Sequence, residues 1–340
     1  MNQIITADWH CHTWLDCAQI INGVNSRLQD LLQALQVMVT YALKHRVQQI
    51  RVLGDIFHVK KNVPTEAQDQ LFLFLQEAHR QGINWEFLAG NHDRISDRED
   101  SVTILPFRAF APVRTEIIID KSTKTVFVPW LYDQAKVLKT LQDLKGDWYE
   151  LLFHGELEGA TVGPTDYALS SRFKKELFDR FHHVWAGHLH KRQKVGKVYY
   201  PGNPIAKDWG EPERDKGFLH ITDTGINIIP LPYPAFVSWE GEQLKEHHLV
   251  SLEPKSRGNF LRLKLEQKPD PALLKLLQDT ARVVDVKLVK RAAIPAMQTK
   301  PLESGQNMTG LLGRYMAERN ISPPLRPKYL AFMQEIMERE

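Results

Sequence analysis

The segment Leu53-Gly54-Asp55-Ile56-Phe57-His58 is the most informative part of the sequence, because an apolar run that begins at Ile50 stops there at a glycine and an aspartate. The run predicts a buried strand that delivers Asp55 to a sheet edge. In open α/β sheets, ligand sites lie at the carboxyl ends of the strands, where loops converge on a rigid support. A Gly-Asp pair alone is an ordinary turn, so the prediction depends on whether the pattern recurs.

The pattern of an apolar run followed by ligand-type side chains occurs four more times. A lone histidine at a strand end usually serves packing or hydrogen bonding, but five such ends in one chain favour a common site over coincidence. We therefore expect a two-metal centre in which Asp55 bridges the ions. The other four runs end at Ala7, Ala89, Phe153 and Ala186, and they lead into Asp8-Trp9-His10, Gly90-Asn91-His92-Asp93, His154-Gly155-Glu156 and Gly187-His188-Leu189-His190.

The length and composition are those of a globular chain. With 340 residues, of which 43% are hydrophobic, the chain can bury a sizeable core and is expected to divide into more than one domain. We expect a cytoplasmic protein without a membrane segment, because no apolar run is long enough to span a bilayer and the N-terminus enters a strand without a cleavable leader. Cys11 and Cys17 are too few for a disulfide framework and are expected to be reduced.

Basic residues follow three of the five predicted ligand loops. The net charge of +3 does not by itself indicate a nucleic-acid partner, and most lysines are simply solvated. Clusters placed directly after ligand loops nevertheless favour a polyanion at the site. The residues predicted to bind this polyanion are Lys60, Lys61, Arg94, Lys191 and Arg192.

The spacing of apolar residues predicts the segments that connect the strands. A helix over residues 26–45, and another that begins at Pro64 and runs to about Gln81, form β-α-β crossovers. Thr65 and Gln68 have the spacing of a capping box at the start of the second helix. Helices are also predicted over 133–143 and 171–178, and short strands between residues 198 and 229 predict an antiparallel closure of the sheet.

A proline-rich linker at residues 230–234 marks the first predicted domain boundary. Beyond it, an alternating strand over 260–265, a helix after the Asp270-Pro271 cap, and a strand over 283–289 predict a small β-α-β module. Two apolar helical stripes follow, over 308–319 and 328–337. The predicted domains are residues 1–232, 233–297 and 298–340.

The predicted ligands are carboxylates, imidazoles and an amide oxygen. This set suits first-row divalent ions, and the absence of thiolates argues against structural zinc. We expect two divalent ions, with manganese preferred and iron or zinc as alternatives. His92 follows Asn91 and can stabilise or protonate a leaving oxygen. His58 either positions phosphate, or only supports the ligands or starts a helix. The histidines interpreted as ordinary are His12, His182 and His183.

In their order along the chain, the five motifs resemble those of the calcineurin-like metallophosphoesterases over residues 1–222. The motifs are Asp8-x-His10, Gly54-Asp55-x-x-His58, Gly90-Asn91-His92-Asp93, His154 and Gly187-His188-x-His190. Further features are similar to those of SbcD-type DNA double-strand-break repair nucleases, in a short, phage-like form: His58, the Gly187–Gln193 run, and Tyr200-Pro201-Gly202-Asn203-Pro204-Ile205 followed by Lys216-Gly217-Phe218. Two positions depart from the family pattern: Cys11-His12 replaces the usual Leu-Gly, and Asn203 replaces a common serine.

The resemblance implies an α/β fold, with a metallophosphoesterase β-sandwich flanked by helices, a β-α-β DNA-capping domain, and a C-terminal helix pair that docks on an SMC-like ABC-type ATPase. It implies that His92 is catalytic with help from His58, and that the chain is a homodimer. The implied activity is 3′ to 5′ exonuclease cleavage of duplex DNA ends and endonuclease cleavage of single strands, in DNA repair and recombination. The implied ligands are Asp8, His10, Asp55 and His190 for one metal, and Asp55, Asn91, His154 and His188 for the other.

Two other functions stay open from the sequence. The same chemistry fits a phosphatase or a small-molecule phosphodiesterase, which the predicted module and the basic clusters disfavour. A scaffold that only tethers DNA ends through its ATPase partner is disfavoured by the complete ligand set, since a scaffold has no physical need for seven converging ligands.

Overall fold

The apolar run before Asp55 forms a strand, Gln49–Val52, inside a six-stranded sheet. The computed structural model describes residues 2–98, 100–163, 165–211, 216–231, 233–240 and 257–289, which all belong to one compact unit, residues 1–289. Their helices are α1 (Ser26–Lys44), α2 (Thr65–Arg80), α3 (Gln134–Asp143) and α4 (Pro271–Thr280), with 3₁₀ turns at Leu105–Ala109 and Lys175–Phe178. Their strands are β1 (Gln3–Thr6), β2 (Ile20–Ile21), β3 (Val24–Asn25), β4 (Gln49–Val52), β5 (Asn84–Leu88), β6 (Val113–Arg114), β7 (Ile118–Asp120), β8 (Thr125–Val128), β9 (Trp148–His154), β10 (Thr161–Val162), β11 (Tyr167–Ala168), β12 (Phe181–Gly187), β13 (Gln193–Val195), β14 (Val198–Tyr200), β15 (Gly217–Thr222), β16 (Gly225–Pro230), β17 (Phe236–Glu240), β18 (Phe260–Leu265) and β19 (Val283–Leu288).

Two six-stranded sheets carry the predicted ligands. In the first sheet the order is β16-β15-β1-β4-β5-β6, and β1, β4, β5 and β6 run parallel. In the second the order is β13-β14-β12-β9-β8-β7, with parallel pairing from β14 to β8. The five strands predicted to precede ligands are β1, β4 and β5 of the first sheet and β9 and β12 of the second. The β15–β16 hairpin, which pairs antiparallel with β1, confirms the predicted closure.

Burial of apolar side chains explains why the two sheets face each other. Ile5 of the first sheet and Trp185 of the second belong to one buried cluster between the sheets. On the outer faces, α1 and α2 bury Leu35 and Leu71 against the first sheet, and α3 buries Leu141 against the second. Each such side chain contributes about 1.5–3 kcal/mol of stability. The architecture is the predicted α/β sandwich flanked by helices.

Local signals set the start of α1 but not of α2. The side chain of Asn25 accepts hydrogen bonds from the first-turn backbone of α1, as an N-cap residue does. The capping box predicted for α2 is wrong, because Pro64 occupies the N-cap position and Thr65 is already helical. A capping box requires the hydroxyl residue at the N-cap itself. Glu66 instead accepts a hydrogen bond from Asn25 N at 3.0 Å and so ties the start of α2 to the start of α1.

The helix predicted over residues 171–178 is wrong for most of its length. Only Lys175–Phe178 forms a single 3₁₀ turn. Ser171 Oγ accepts a hydrogen bond from Phe173 N at 3.2 Å, a local bond that competes with helix formation. Phe173 and Phe178 are both buried, and an α-helix would point residues with that spacing in different directions.

Residues 236–240 and 257–289 contribute a separate three-stranded sheet. Its order is β17-β18-β19 and its strands run parallel. The predicted β-α-β module is confirmed as β18, α4 and β19, and the Asp270 side chain caps α4 ahead of a proline in the first turn. β17 extends this module beyond what the sequence predicted.

The module is joined to the rest of the described unit by both apolar and ionic contacts. The ring of Phe236 lies 4.9 Å from the ring of Trp209 and 4.6 Å from the ring of Phe260, between centroids. Arg282 Nη1 lies 2.6 Å from Asp30 Oδ1 of α1. These contacts anchor the three-stranded sheet beside the start of α1.

The predicted C-terminal helix pair and the boundary at residue 297 lie outside the described residues, and the boundary at residue 232 stays a prediction. Within the described part of the chain, every helix is too short or too polar to span a lipid bilayer.

Candidate metal centre

Four predicted ligands adopt an unusual backbone conformation. Asp8, His10, Asp55 and His188 have φ angles of 54°, 46°, 52° and 103°, a region that residues other than glycine rarely occupy. Each such residue costs about 1–3 kcal/mol, and such residues cluster at functional sites. Hydrogen bonds between the loops hold the conformation: Asp8 N donates to Gly54 O at 3.0 Å, and His10 N donates to Asp55 O at 2.9 Å.

Glycines allow the ligand loops to approach one another. A Cβ atom at Gly90 would lie 2.2 Å from Asp55 Oδ1, and a Cβ atom at Gly187 would lie 2.0 Å from Leu53 O. Both distances are far below van der Waals contact. The loop after β5 and the end of β12 can therefore reach the Asp55 loop only because these positions lack a side chain.

The first donor group comprises Asp8, His10 and His190, whose ligand atoms lie within 4.8 Å of one another. His10 Nε2 lies 2.8 Å from His190 Nε2, and His10 Nε2 lies 3.8 Å from Asp55 Oδ2. Asp8 and His10 are buried, and His190 is half-buried.

The second donor group comprises Asp55, His154 and His188, again within 4.8 Å. Asn91 Oδ1 lies 3.0 Å from His154 Nε2 and 2.9 Å from His188 Nδ1. Asp55 Oδ1 lies 3.5 Å from His154 Nε2. The two oxygens of Asp55 thus face different donor groups, and the other six predicted ligands lie around this one carboxylate.

The protonation states of the histidines suit cation binding. His154 Nδ1 lies 2.6 Å from Leu53 O, and because a carbonyl cannot donate, Nδ1 carries the proton and Nε2 keeps its lone pair toward Asn91. Burial, followed by repulsion from His190, lowers the pKa of His10 well below its usual value. Burial, followed by repulsion from His154, lowers the pKa of His188 to about 4. Neutral imidazoles with converging lone pairs are what a divalent ion requires.

The buried carboxylates lead to the same conclusion. Burial, followed by repulsion from Asp55, raises the pKa of Asp8 well above its usual value. An ionised carboxylate in this position lacks the positive charge that would offset its desolvation. A divalent ion at the Asp8 group would supply that charge, so the residues present fit a metal.

Cys11, which stands next to His10, is not among the donors. Its side chain is fully buried, and Sγ points to Ala67 O at 3.7 Å. Burial raises the pKa of this thiol far above its usual range. Cys11 is therefore turned away from its neighbour His10 and the other donors.

His92 and His58 stand beside the first donor group. His92 N donates to Asp55 Oδ1 at 2.8 Å, and His92 Nδ1 donates to the carbonyl oxygen of His58. The two rings are stacked with centroids 5.6 Å apart, and the ring of His92 lies 4.8 Å from that of His10. Burial, followed by the charge of Lys207, lowers the pKa of His58 to about 4.

A model of the family described as calcineurin-like phosphoesterase matches residues 1–192. The chain belongs to the calcineurin-like phosphoesterase family. Membership confirms the coarser part of the sequence resemblance and makes the chain a metal-binding hydrolase of phosphoesters. Among solved structures the chain is similar to a dimetal phosphatase from Danio rerio, at 12% identity and a TM-score of 0.39, over 68% of this chain and 97% of that chain. The comparison with curated proteins found no match.

In this phosphoesterase, the residues predicted to bind DNA differ from one another in exposure and in contacts. Lys61 is exposed, and Arg192 is half-buried. Lys60 is half-buried, with Nζ over the ring of Trp130, 5.5 Å from its centroid. Lys191 pairs with the carboxylate of Asp166.

Arg94 does not support the predicted DNA contact. Its side chain is 1% exposed, and its guanidinium donates to the backbone carbonyls of Trp130 and Thr115. These bonds satisfy a buried charge and tie the loop after β5 to neighbouring segments. The structure therefore indicates a supporting role for Arg94.

Two buried carboxylates support the phosphoesterase site, although the sequence assigned them no role. Asp93 accepts hydrogen bonds from Ile56 N at 2.9 Å and Gly90 N at 2.8 Å, so it clamps the Asp55 loop to the Asn91 loop. Burial, followed by repulsion from Asp55, raises the pKa of Asp93 to about 7. Glu211 accepts a hydrogen bond from His190 Nδ1 at 2.7 Å. Asp93 stands inside a ligand motif and could have been suspected there, whereas Glu211 has no strand-end signal.

Proposed function

We propose that this phosphoesterase is a two-metal DNA nuclease that uses Mn²⁺, trims duplex ends in the 3′ to 5′ direction and cuts single strands endonucleolytically. The observation that carries the proposal is the division of Asp55, whose Oδ1 faces His154 at 3.5 Å while Oδ2 faces His10 at 3.8 Å. This geometry suits a carboxylate shared by two ions. When bound, such ions activate a water and neutralise the charge of the phosphate.

Residues of the chain itself then handle the substrate. His92 donates its Nδ1 proton to the His58 carbonyl, so Nε2 is the ring nitrogen that can hold a proton toward the leaving oxygen. The stacked ring of His58 supports His92 from the side. The bond from His92 N to Asp55 Oδ1 fixes the distance between this acid and the shared carboxylate.

The three-stranded module supports a polymer as substrate. Phe236 of the module contacts Trp209, and Lys207, in the same loop, has its Nζ 3.5 Å from His190 Nδ1. The module is therefore connected directly to the segment that surrounds the first donor group. A small phosphate ester needs only the ions and His92, whereas a nucleic-acid strand can extend over a neighbouring module, with Lys60 and Lys61 to attract its phosphates.

We also propose the partners that the sequence implies. Residues 298–340 would dock on an SMC-like ABC-type ATPase of a cytoplasmic DNA repair and recombination system, and the nuclease would be a homodimer. The support is a pair of apolar stripes rich in Met, Leu and Tyr. Helices with such stripes can bind in an apolar groove of a partner. Co-purification of the full chain with such an ATPase, and its loss on deletion of residues 300–340, tests this part.

A substrate comparison tests the catalytic proposal. The purified full chain with MnCl₂ should degrade end-labelled duplex DNA and closed circular single-stranded DNA, and EDTA should abolish both activities. Duplexes protected by phosphorothioates at either the 3′ or the 5′ ends separate the two polarities, and only 3′ protection should block degradation.

Small esters provide the alternative outcomes. If p-nitrophenyl phosphate or bis-p-nitrophenyl phosphate is hydrolysed while both DNA substrates survive, the enzyme is a phosphatase or a small-molecule phosphodiesterase. If none of the substrates reacts although two Mn²⁺ ions bind, the tethering scaffold is favoured over the nuclease.

A further inference from the structure

Two histidines of the candidate centre are backed by different acceptors. His190 Nδ1 lies 2.7 Å from Glu211 Oε1, and His154 Nδ1 lies 2.6 Å from the backbone oxygen of Leu53. Both acceptors require a proton on Nδ1, which leaves Nε2 as the donor atom for a metal. The partner of His190 is an anion and the partner of His154 is a neutral dipole, so the two donor groups are electrostatically unequal.

Glu211 is itself held in place on its other oxygen. Glu211 Oε2 accepts hydrogen bonds from Asn203 Nδ2 at 2.8 Å and from Lys207 N at 3.2 Å, and it lies 2.9 Å from Lys216 Nζ. The residue is only 7% exposed. A buried carboxylate of this kind is stable because several donors and one positive charge compensate its desolvation. The contacts of Oε2 also fix the orientation of the carboxylate, so that Oε1 is directed at His190.

Lys207 also approaches His190, with Nζ 3.5 Å from Nδ1. An ammonium group only donates hydrogen bonds, and it competes with Glu211 for the same nitrogen. If Lys207 donated a hydrogen bond to Nδ1 of His190, Nδ1 would carry no proton. The proton would then lie on Nε2, where it would block metal binding. The shorter contact to Glu211 favours the tautomer that can bind a metal.

We propose that Glu211 is a positioning residue that holds His190 in the Nδ1-protonated tautomer and thereby strengthens divalent-ion binding at the Asp8, His10 and His190 group alone. This inference rests on the two-metal centre proposed above. Carboxylate partners of ligating histidines typically contribute about 10–100-fold in metal affinity, because they orient the ring and make its free nitrogen more basic. The second group, built on His154, has no contact with Glu211 and is unaffected.

Calorimetric titration of the metal-free full chain with MnCl₂ tests the proposal. Glu211→Gln keeps the size of the side chain but removes its charge. It should weaken one of two Mn²⁺ sites by about 10–100-fold and leave the other at its wild-type affinity. Turnover at saturating Mn²⁺ should return close to the wild-type value, because the residue acts on affinity and not on the reacting atoms.

Glu150→Gln is the matched control. Glu150 is 2% exposed and accepts hydrogen bonds from Gln3 and Trp185, both at 2.7 Å, so this variant also neutralises a buried carboxylate, but away from the donor groups. It should lower the melting temperature without changing either Mn²⁺ affinity. If Glu211→Gln weakens both sites equally, or leaves both unchanged, Glu211 does not position His190.

The two proposals fail in different ways. A wild-type chain that binds fewer than two Mn²⁺ ions overturns the two-metal centre and this inference with it, whereas two ions in the wild type and unchanged affinities in Glu211→Gln overturn this inference alone. A second measurement needs no Glu211 variant: ring ¹⁵N spectra of the Zn²⁺-loaded wild type, with the His190 signal assigned through His190→Gln. A proton on Nδ1 of His190 is expected, and a proton on Nε2 overturns the proposal.

Discussion

Asp55 connects the two donor groups, since each of its oxygens faces a different histidine. Asp55→Asn replaces one oxygen with an amide nitrogen that cannot ligate a cation, and it removes the negative charge. The variant is dialysed against Mn²⁺ and then freed of unbound metal. We expect it to retain neither ion, as measured by elemental analysis. Turnover should fall by at least about 10²-fold, because metals contribute several kcal/mol of charge stabilisation in the transition state.

Asp143→Asn is the control for this experiment, because Asp143 is an exposed aspartate at the end of α3. It should retain both ions and full activity. Two ions in Asp55→Asn would show that the carboxylate is not shared.

The predicted role of His92 lies in the chemical step and not in metal binding. Its ring nitrogen Nε2 is free for the substrate because Nδ1 is engaged with the His58 carbonyl. His92→Ala should keep both ions and slow turnover by about 10²–10⁴-fold, the usual contribution of a general acid. Single-turnover rates and metal content should be measured on the same samples. Loss of metal in this variant would make His92 a support for the ligands, and an unchanged rate would remove it from the mechanism.

The loop after β5 depends on a position without a side chain. A Cβ atom at Gly90 would lie 2.2 Å from Asp55 Oδ1 and 2.8 Å from His154 Cε1. Gly90→Ala should therefore displace the shared carboxylate and lower Mn²⁺ affinity at both sites, measured by calorimetric titration.

Gly146→Ala is its control, since Gly146 has a φ of 77° but no atom within 4 Å of an added Cβ. That variant should lose about 1–2 kcal/mol of stability through backbone strain while binding Mn²⁺ normally. Normal binding in Gly90→Ala would mean that the loop can move aside.

The sequence predicted the elements that end at the site because parallel strands share their carboxyl edge, and a strand end followed by Asp, Asn or His is visible locally. It did not predict the hydrogen bonds that Asp93 and Glu211 make. Asp93 bonds to the Asp55 loop, 37 residues away in sequence for Ile56, and Glu211 bonds to His190 across 21 residues. Neither bond belongs to a periodic pattern, so only the folded chain shows them.

Where the sequence predictions and the structure differ, contacts between distant segments explain the difference. The segment 171–178 contains helix-forming residues, but the burial of Phe173 and Phe178 and the turn at Ser171 decide its conformation. Arg94 follows a ligand motif and was expected to face DNA, yet its charge is used inside the protein. In both cases tertiary contacts outweighed the local signal.

Arg27 connects the three-stranded module with the surroundings of His58. The Arg27 guanidinium lies 5.0 Å from the ring centroid of Phe236 in the module and 4.7 Å from that of Trp14. The ring of Trp14 in turn packs against that of His58 at a tilt of 38°, with centroids 4.4 Å apart. The position of the module and the position of His58 are therefore linked by packed side chains.

The ion pair between Arg282 and Asp30 gives this junction a dependence on pH. Burial raises the pKa of Asp30, and Arg282 lowers it in opposition. Arg282→Ala removes that opposing influence, so the pKa of Asp30 rises further above its unfolded value. A carboxyl group with a raised pKa in the folded state destabilises the fold when it ionises, and this cost disappears as the pH falls below the folded pKa.

Arg282→Ala should therefore lower the free energy of unfolding by about 1.5–3 kcal/mol at neutral pH, the range for a hydrogen bond to a charged group, because Arg27 still offsets part of the charge of Asp30. The deficit relative to wild type should shrink as the pH falls toward 3.8, the ordinary value for aspartate. Denaturant titrations at several pH values measure it. Arg98→Ala, which breaks an exposed pair with Asp100, should show almost no deficit at any pH. An equal deficit for Arg282→Ala at every pH would mean that packing of the arginine, and not the charge of Asp30, holds the module in place.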